Sequence, residues 1–332
     1  MAINKRLIKS NDEGGGASFN TVLYTGNQTI RSIGGVGFQP DLVWTKTINV
    51  ANRHELADVV RGSTKRVFSN VTSAELTDSN AITSFDVDGF SLGTSDNVNW
   101  TDKTYVAWCW KAGGAAVTNT DGSITSDVSA NVDAGFSVVK WTTSSAAAWN
   151  VGHGLGVAPE MIISKSTTAA GSWWEVYHKD IGTGKYLALQ TTGGTYTDSD
   201  AFSSVTSSSW TSYTTNTLGT YIAYCFAEKA GFSKIGSYSG TGVSGTTVST
   251  GFEPAFILVK RTDAASGWRI LDNKRFSGGN KSSLQAQDAY LEQVGYIDVD
   301  FNSSDFTINS TNIDFNASGT DNYIYMAFAN QF

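Results

Sequence analysis

All three prolines of the chain stand in one repeated phrase. It reads GFQPDLVWTK over Gly37–Lys46, GVAPEMIISK over Gly156–Lys165 and GFEPAFILVK over Gly251–Lys260. A chain that places Gly three residues before each proline and Lys six residues after is built from three copies of one unit. Proline lacks an N–H and is tolerated at or just before the first residue of a strand. The apolar runs that follow, Leu42–Trp44, Met161–Ile163 and Phe256–Val259, therefore read as buried strands that leave the core at their lysines, and the preceding glycine relieves a tight approach.

A second phrase closes each unit: YVAWCW from Tyr105, YIAYCF from Tyr221 and YIYMAF from Tyr323, at 65, 62 and 69 residues after the respective proline. With period two, Val106/Trp108/Trp110, Ile222/Tyr224/Phe226 and Ile324/Met326/Phe328 form a bulky face, and Tyr105/Ala107/Cys109 with their counterparts a leaner one. Both faces look buried, as in a central strand of a sandwich. Cys109 and Cys225 occupy equivalent positions in separate copies, so they read as core residues rather than as disulfide partners.

These markers divide the 332 residues into an N-terminal anchoring arm (1–18), a β-sandwich repeat (19–114), a linker or hairpin (115–133) turning at Asp121 and Gly122, a second repeat (134–231) and a third (232–332). The expected fold is all-β: three tandem antiparallel β-sandwiches, jelly-roll-like, each long enough to bury a core. Abundant Ser, Thr, Gly and aromatic residues with 16% charge and little proline suit that class. Lys281–Glu292 is the best helical window, with one short helix or a loop as the two readings.

A net charge of −7 and a pI near 5.0 argue against sequence-independent nucleic-acid binding, which needs a basic surface. The N-terminus has no apolar run of signal-peptide length, and no window reaches 18 uninterrupted apolar residues, so neither secretion by that route nor membrane insertion is expected. The basic cluster Lys5, Arg6 and Lys9, followed by a Gly-rich hinge, suits an anchor.

No catalytic constellation is expected, nor a metal or cofactor. The Gly240–Gly245 segment spells G-x-G-x-x-G but lies between β segments and opens no helix, so it reads as a hairpin loop. His54, His153 and His178 lack zinc-ligand spacing, and His54 and His178, within the repeated mid-domain segment, read as surface or half-buried strand residues. Asp86/Asp88 and Asp298/Asp300 offer oxygen ligands for Ca²⁺ but are more often solvated beside a turn. Glu175 and Asp180 flank a strand in the second copy alone, so no recurrent acid pair of the kind glycosidases use emerges. Aromatics remain. Trp44, Trp108 and Trp110 fall on core strands, whereas Trp100, Trp149, Trp173, Trp210, Tyr196 and Tyr213 fall in or beside polar loops and are the candidate ligand-binding residues.

The phrases TNTDGSI (Thr118–Ile124), VGHGLG (Val151–Gly156), YIAYCFA (Tyr221–Ala227), GFSKIGSY (Gly231–Tyr238) and YIYMAFA (Tyr323–Ala329) resemble a repeat family of tail-fibre and other virion structural proteins of marine bacteriophages. The resemblance covers nearly all of residues 19–332 and implies concanavalin-like or SPRY-like β-sandwiches on a phage particle. It carries no catalytic motif. Two roles follow as expectations: a tail-fibre or receptor-binding component touching host-surface polysaccharide, or a capsid or tail decoration and adaptor protein packed on other virion proteins. Phage fibres are commonly trimers, so a homotrimer is one expectation; three copies in one chain supplying pseudo-threefold geometry is the other.

Overall fold

The computed structural model describes residues 17–145, 147–213, 218–276, 282–319 and 322–330. The basic arm with Lys5, Arg6 and Lys9 lies outside them. The chain is nearly all β, and its strands fall into three sets with one topology.

In each unit the opening strand (Phe19–Thr25, Phe136–Thr143, Ser233–Ser239) pairs with the closing strand (Thr104–Trp110, Gly219–Phe226, Asn322–Phe328). The closing strand pairs in turn with the proline strand (Leu42–Thr47, Met161–Ser166, Phe256–Arg261), and that with a fourth (Glu55–Asp58, Trp174–His178, Arg269–Asp272). The registers are identical: Leu42↔Trp110, Met161↔Phe226 and Phe256↔Phe328. A three-stranded sheet covers one face of each four-strand set: Arg31–Ile33 with Gly89–Leu92 and Ile82–Asp86, Ala148–Gly152 with Ser209–Tyr213 and Ser204–Val205, Thr246–Ser249 with Asp305–Ile308 and Val299–Phe301. The 115–133 segment forms a hairpin, Val117–Asn119 with Ser126–Asn131, that extends the second unit's main sheet beyond its opening strand.

The glycine before each proline is required by backbone conformation rather than by space. Gly37, Gly156 and Gly251 have φ of 87°, 71° and 83°, and an added Cβ would meet nothing within 4 Å. The residue after each proline, Asp41, Glu160 or Ala255, then donates its amide to the last carbonyl of the closing strand at 2.8, 2.7 and 2.7 Å. Proline's missing donor thus falls just outside the ladder.

The two faces of the closing strand serve different cores. Tyr105, Ala107 and Cys109 lie in the first unit's own sandwich, as Tyr221, Ala223 and Cys225 do in the second and Tyr323, Tyr325 and Ala327 in the third. Both cysteines are free and buried, in different cores. The bulky faces of all three units meet in one shared core. At its centre the Trp110 ring lies 5.0 to 6.5 Å from those of Phe19, Phe136, Phe226, Phe256 and Phe328.

The seams around that core form a closed cycle. The backbone amide of Glu75 donates to the Thr167 carbonyl (2.8 Å), that of Thr195 to Thr262 (2.8 Å) and that of Glu292 to Ile48 (2.9 Å), linking unit one to two, two to three and three to one through equivalent positions. A return set runs from Gly171 to Thr72, Ser266 to Thr192 and Asn52 to Ala289. The three lysines do not leave the core: Lys46, Lys165 and Lys260 are at most 1% exposed. Lys165 Nζ donates to the carbonyls of Thr72 (3.3 Å) and Ser172 (2.7 Å), Lys260 Nζ to Thr192 (3.2 Å) and Ser266 (2.8 Å), and Lys46 Nζ to Thr47 (2.7 Å). A neighbouring unit closes over the strand end, a packing no single copy reveals, and carbonyls replace water around the ammonium.

The Lys281–Glu292 window is not helical. Ser282–Gln285 is a strand paired to Arg269 and Ile270, because Leu284 is needed in the shared core; Lys281 lies outside the described residues. The one helix among the described residues is the four-residue Asp96–Asn99.

Candidate functional site

The structure separates the candidate aromatics. Trp149 is 5% exposed and Trp210 fully buried; both lie on strands of the second unit's small sheet and pack with Trp141 in its core. Their polar sequence neighbours suggested loops, but they belong to the same strands: Asn150 and Thr211 are half-buried, while Ser209 and Ser212 are buried beside the tryptophans. Tyr213 ends its strand opposite Ala148, and its side chain lies outside the described residues. Trp100 is 40% exposed, with the Lys103 ammonium 5.2 Å above its ring.

Trp173 and Tyr196 come together. Their ring centroids are 5.3 Å apart in an edge-on contact, and Tyr186, which sequence reading missed, stacks on Tyr196 at 5.3 Å. Trp173 keeps 39% of its surface exposed, while both tyrosines are half-buried. Strand register builds this shelf. Trp173 precedes Glu175 by two, Glu175 faces Ala188 on the strand Lys185–Ala188, and Tyr186 lies two residues from Ala188. Tyr186 faces Tyr196 on Tyr196–Thr197, and Asp198 follows by two. Five residues from three segments thus share one face.

Two carboxylates lie within the shelf. Burial first, and the Asp198 charge second, push the Glu175 carboxyl up to about 7. Asp198 accepts the Asp200 amide at 3.1 Å. Glu175 is the acid the sequence had grouped with Asp180. Asp180 instead lies 3.9 Å from the His178 ring, and the acid that Glu175 faces is Asp198. Hydrophobic periodicity held no sign of that partner, because two intervening strand pairings bring it there.

All three histidines are buried, contrary to the surface or half-buried reading of His54 and His178. His54 Nδ1 accepts the Trp44 indole N–H (2.9 Å), His153 Nδ1 the Leu155 amide (3.2 Å) and His178 Nδ1 the Asp180 amide (3.1 Å). Burial pushes all three below the ordinary imidazole value, His178 to about 4. Each serves as a packed, neutral hydrogen-bonding group. Asp88 accepts the amides of Gly35 (3.0 Å) and Gly37 (2.6 Å), which pull its carboxyl down, and Asp86 accepts the hydroxyls of Ser84 and Ser91, both at 2.7 Å. These acids tie loops to strands. Among the described residues no group of three or more His, Cys, Asp or Glu is placed to hold a metal ion, and no helix is long and apolar enough to cross a membrane.

The chain belongs to a family described as a domain of unknown function (DUF7483), which matches residues 15–331. No curated protein and no solved structure matches it.

Proposed function

We propose that this chain is a structural component of a bacteriophage particle, a tail-fibre or receptor-binding module that contacts host-surface glycans. One observation carries the contact: Trp173 stands 39% exposed with its ring held in a T-shaped contact with Tyr196, presenting an aromatic surface fixed before any ligand arrives. Sugar rings stack on such surfaces, and a preformed platform avoids the entropy cost of ordering loops on binding. The resemblance of the quoted phrases to phage virion repeats supports the location, and three units closed on one core support a rigid display body. Weak single-site affinity is raised when many copies are displayed on a particle.

A decoration or adaptor role is the second reading. The hairpin at the end of the second unit's main sheet favours it, since Val117 is 67% exposed on an edge strand, where a neighbouring protein can add a strand. Glycan-array binding by the isolated chain distinguishes the two. Binding that Trp173→Ala abolishes with the melting temperature unchanged supports the receptor-binding role. No glycan binding, with the protein located by electron microscopy at regular capsid sites, overturns it in favour of decoration.

A further inference from the structure

The three units are internal controls for one another, and the Trp173 shelf is where their charges differ. In the first unit the positions equivalent to Trp173, Glu175, Tyr186 and Asp198 are Arg53, Glu55, Arg66 and Asp78, as the matching registers Arg66↔Leu76 and Tyr186↔Tyr196 show. There Arg66 bridges both acids, 2.9 Å from Glu55 and 3.0 Å from Asp78. In the third unit Arg269 replaces the glutamate and binds Asp314 through Nε at 2.8 Å, with the Tyr296 ring 4.3 Å from its guanidinium carbon. In both, each carboxylate of this region has a guanidinium beside it: Glu55 and Asp78 have Arg66, and Asp314 has Arg269. The second unit keeps both acids, puts Tyr186 in the place of the arginine, and leaves the Glu175 carboxylate with no hydrogen-bond or ion-pair partner among the described residues.

We propose that the face formed by Trp173, Glu175, Tyr186, Tyr196 and Asp198 is a docking site for an arginine side chain of a partner protein. The incoming guanidinium takes the place that Arg66 holds in the first unit, hydrogen-bonding Glu175 and Asp198 while its plane lies against Trp173 or the tyrosines. A planar cation with donors along several edges suits two carboxylates within an aromatic wall better than a compact ammonium does. This goes beyond glycan contact and does not rest on it, since it stands on the charge imbalance between copies.

The test uses the full chain and nuclear magnetic resonance of the Trp173 indole N–H, assigned by its loss in Trp173→Phe. The probe is N-acetyl-arginine amide at pH 8. The citrulline analogue, neutral and nearly isosteric, is the control, and glucosamine represents a sugar-borne cation. A saturable shift with the arginine probe, at least tenfold weaker with citrulline and lost in Glu175→Gln and Asp198→Asn, is the expected result. Tyr186→Arg, which recreates the first unit's arrangement, abolishes the shift while leaving the fold intact. Equal response to citrulline, retention in both acid variants, or a response to glucosamine without one to arginine overturns the proposal.

Discussion

At the scale of single residues, charge without a counter-charge is the most informative feature of this molecule. Glu55 and Glu175 both have carboxyls raised to about 7 by burial, but Arg66 opposes the shift for Glu55, whereas Asp198 adds to it for Glu175. A carboxyl raised in the fold above its ordinary 4.5 costs nothing below pH 4.5, where folded and unfolded chains are both protonated. Its cost grows as pH rises to 7 and is constant above. Glu175→Gln does not titrate, so its stability advantage over the parent is expected to open between pH 4.5 and 7. Discounted for partial exposure, it reaches about 1–2 kcal/mol. Urea unfolding at pH 5 and pH 8 measures this; an advantage already complete at pH 5 sinks it. The groups facing Glu175 are Asp198 at the end of the Tyr196–Thr197 strand and the Tyr186 phenol.

At the scale of elements, each fourth strand and the turn after it form a clasp on the next unit. Asp58 accepts Arg61 Nε at 2.6 Å and the Tyr224 hydroxyl of the second unit at 2.9 Å. Asp272 accepts Arg275 Nε at 2.6 Å and the Trp108 indole N–H of the first at 3.0 Å. In the second unit His178 stands in the place of the aspartate, with its Nε2 3.5 Å from the Tyr325 carbonyl of the third. Arg61 and Asp58 side chains are at most 2% exposed, so Arg61→Met leaves a buried carboxylate without its counter-ion and is expected to cost about 3–5 kcal/mol. Tyr224→Phe removes the hydroxyl that donates to Asp58 at 2.9 Å and accepts from Arg61 at 3.3 Å, at a cost of about 2 kcal/mol. A double-mutant cycle reads the coupling across the seam; strict additivity removes the clasp.

At the scale of the whole molecule, the largest core belongs to no single unit. Residues 134–231 alone leave Val138, Ile163, Trp174, Tyr224 and Phe226 facing water, a continuous apolar face of the size that drives aggregation. The full chain is therefore expected to unfold in one calorimetric transition, and the isolated 134–231 fragment to be insoluble or to lack a cooperative melt. Three resolved transitions, or a soluble fragment with its own sharp transition, overturn this. The seams join the three units in a closed cycle through equivalent positions.

The β class, the repeat and the strand that each proline introduces were legible because they are local: a turn needs its glycine, a ladder its donors, and a strand its alternation. The two-faced closing strand was legible too, since residues bulky on one side and lean on the other must meet different neighbours. What lay against the bulky side was not, because three copies of one pattern serve equally for separate sandwiches or for a ring. Only the tertiary structure decided for the ring, and with it that three lysines are buried, that Trp149 and Trp210 are core, and that Glu175 faces Asp198. Each of those facts depends on chain segments that come together only when strands pair and units close, and periodicity along one segment carries no record of its partners.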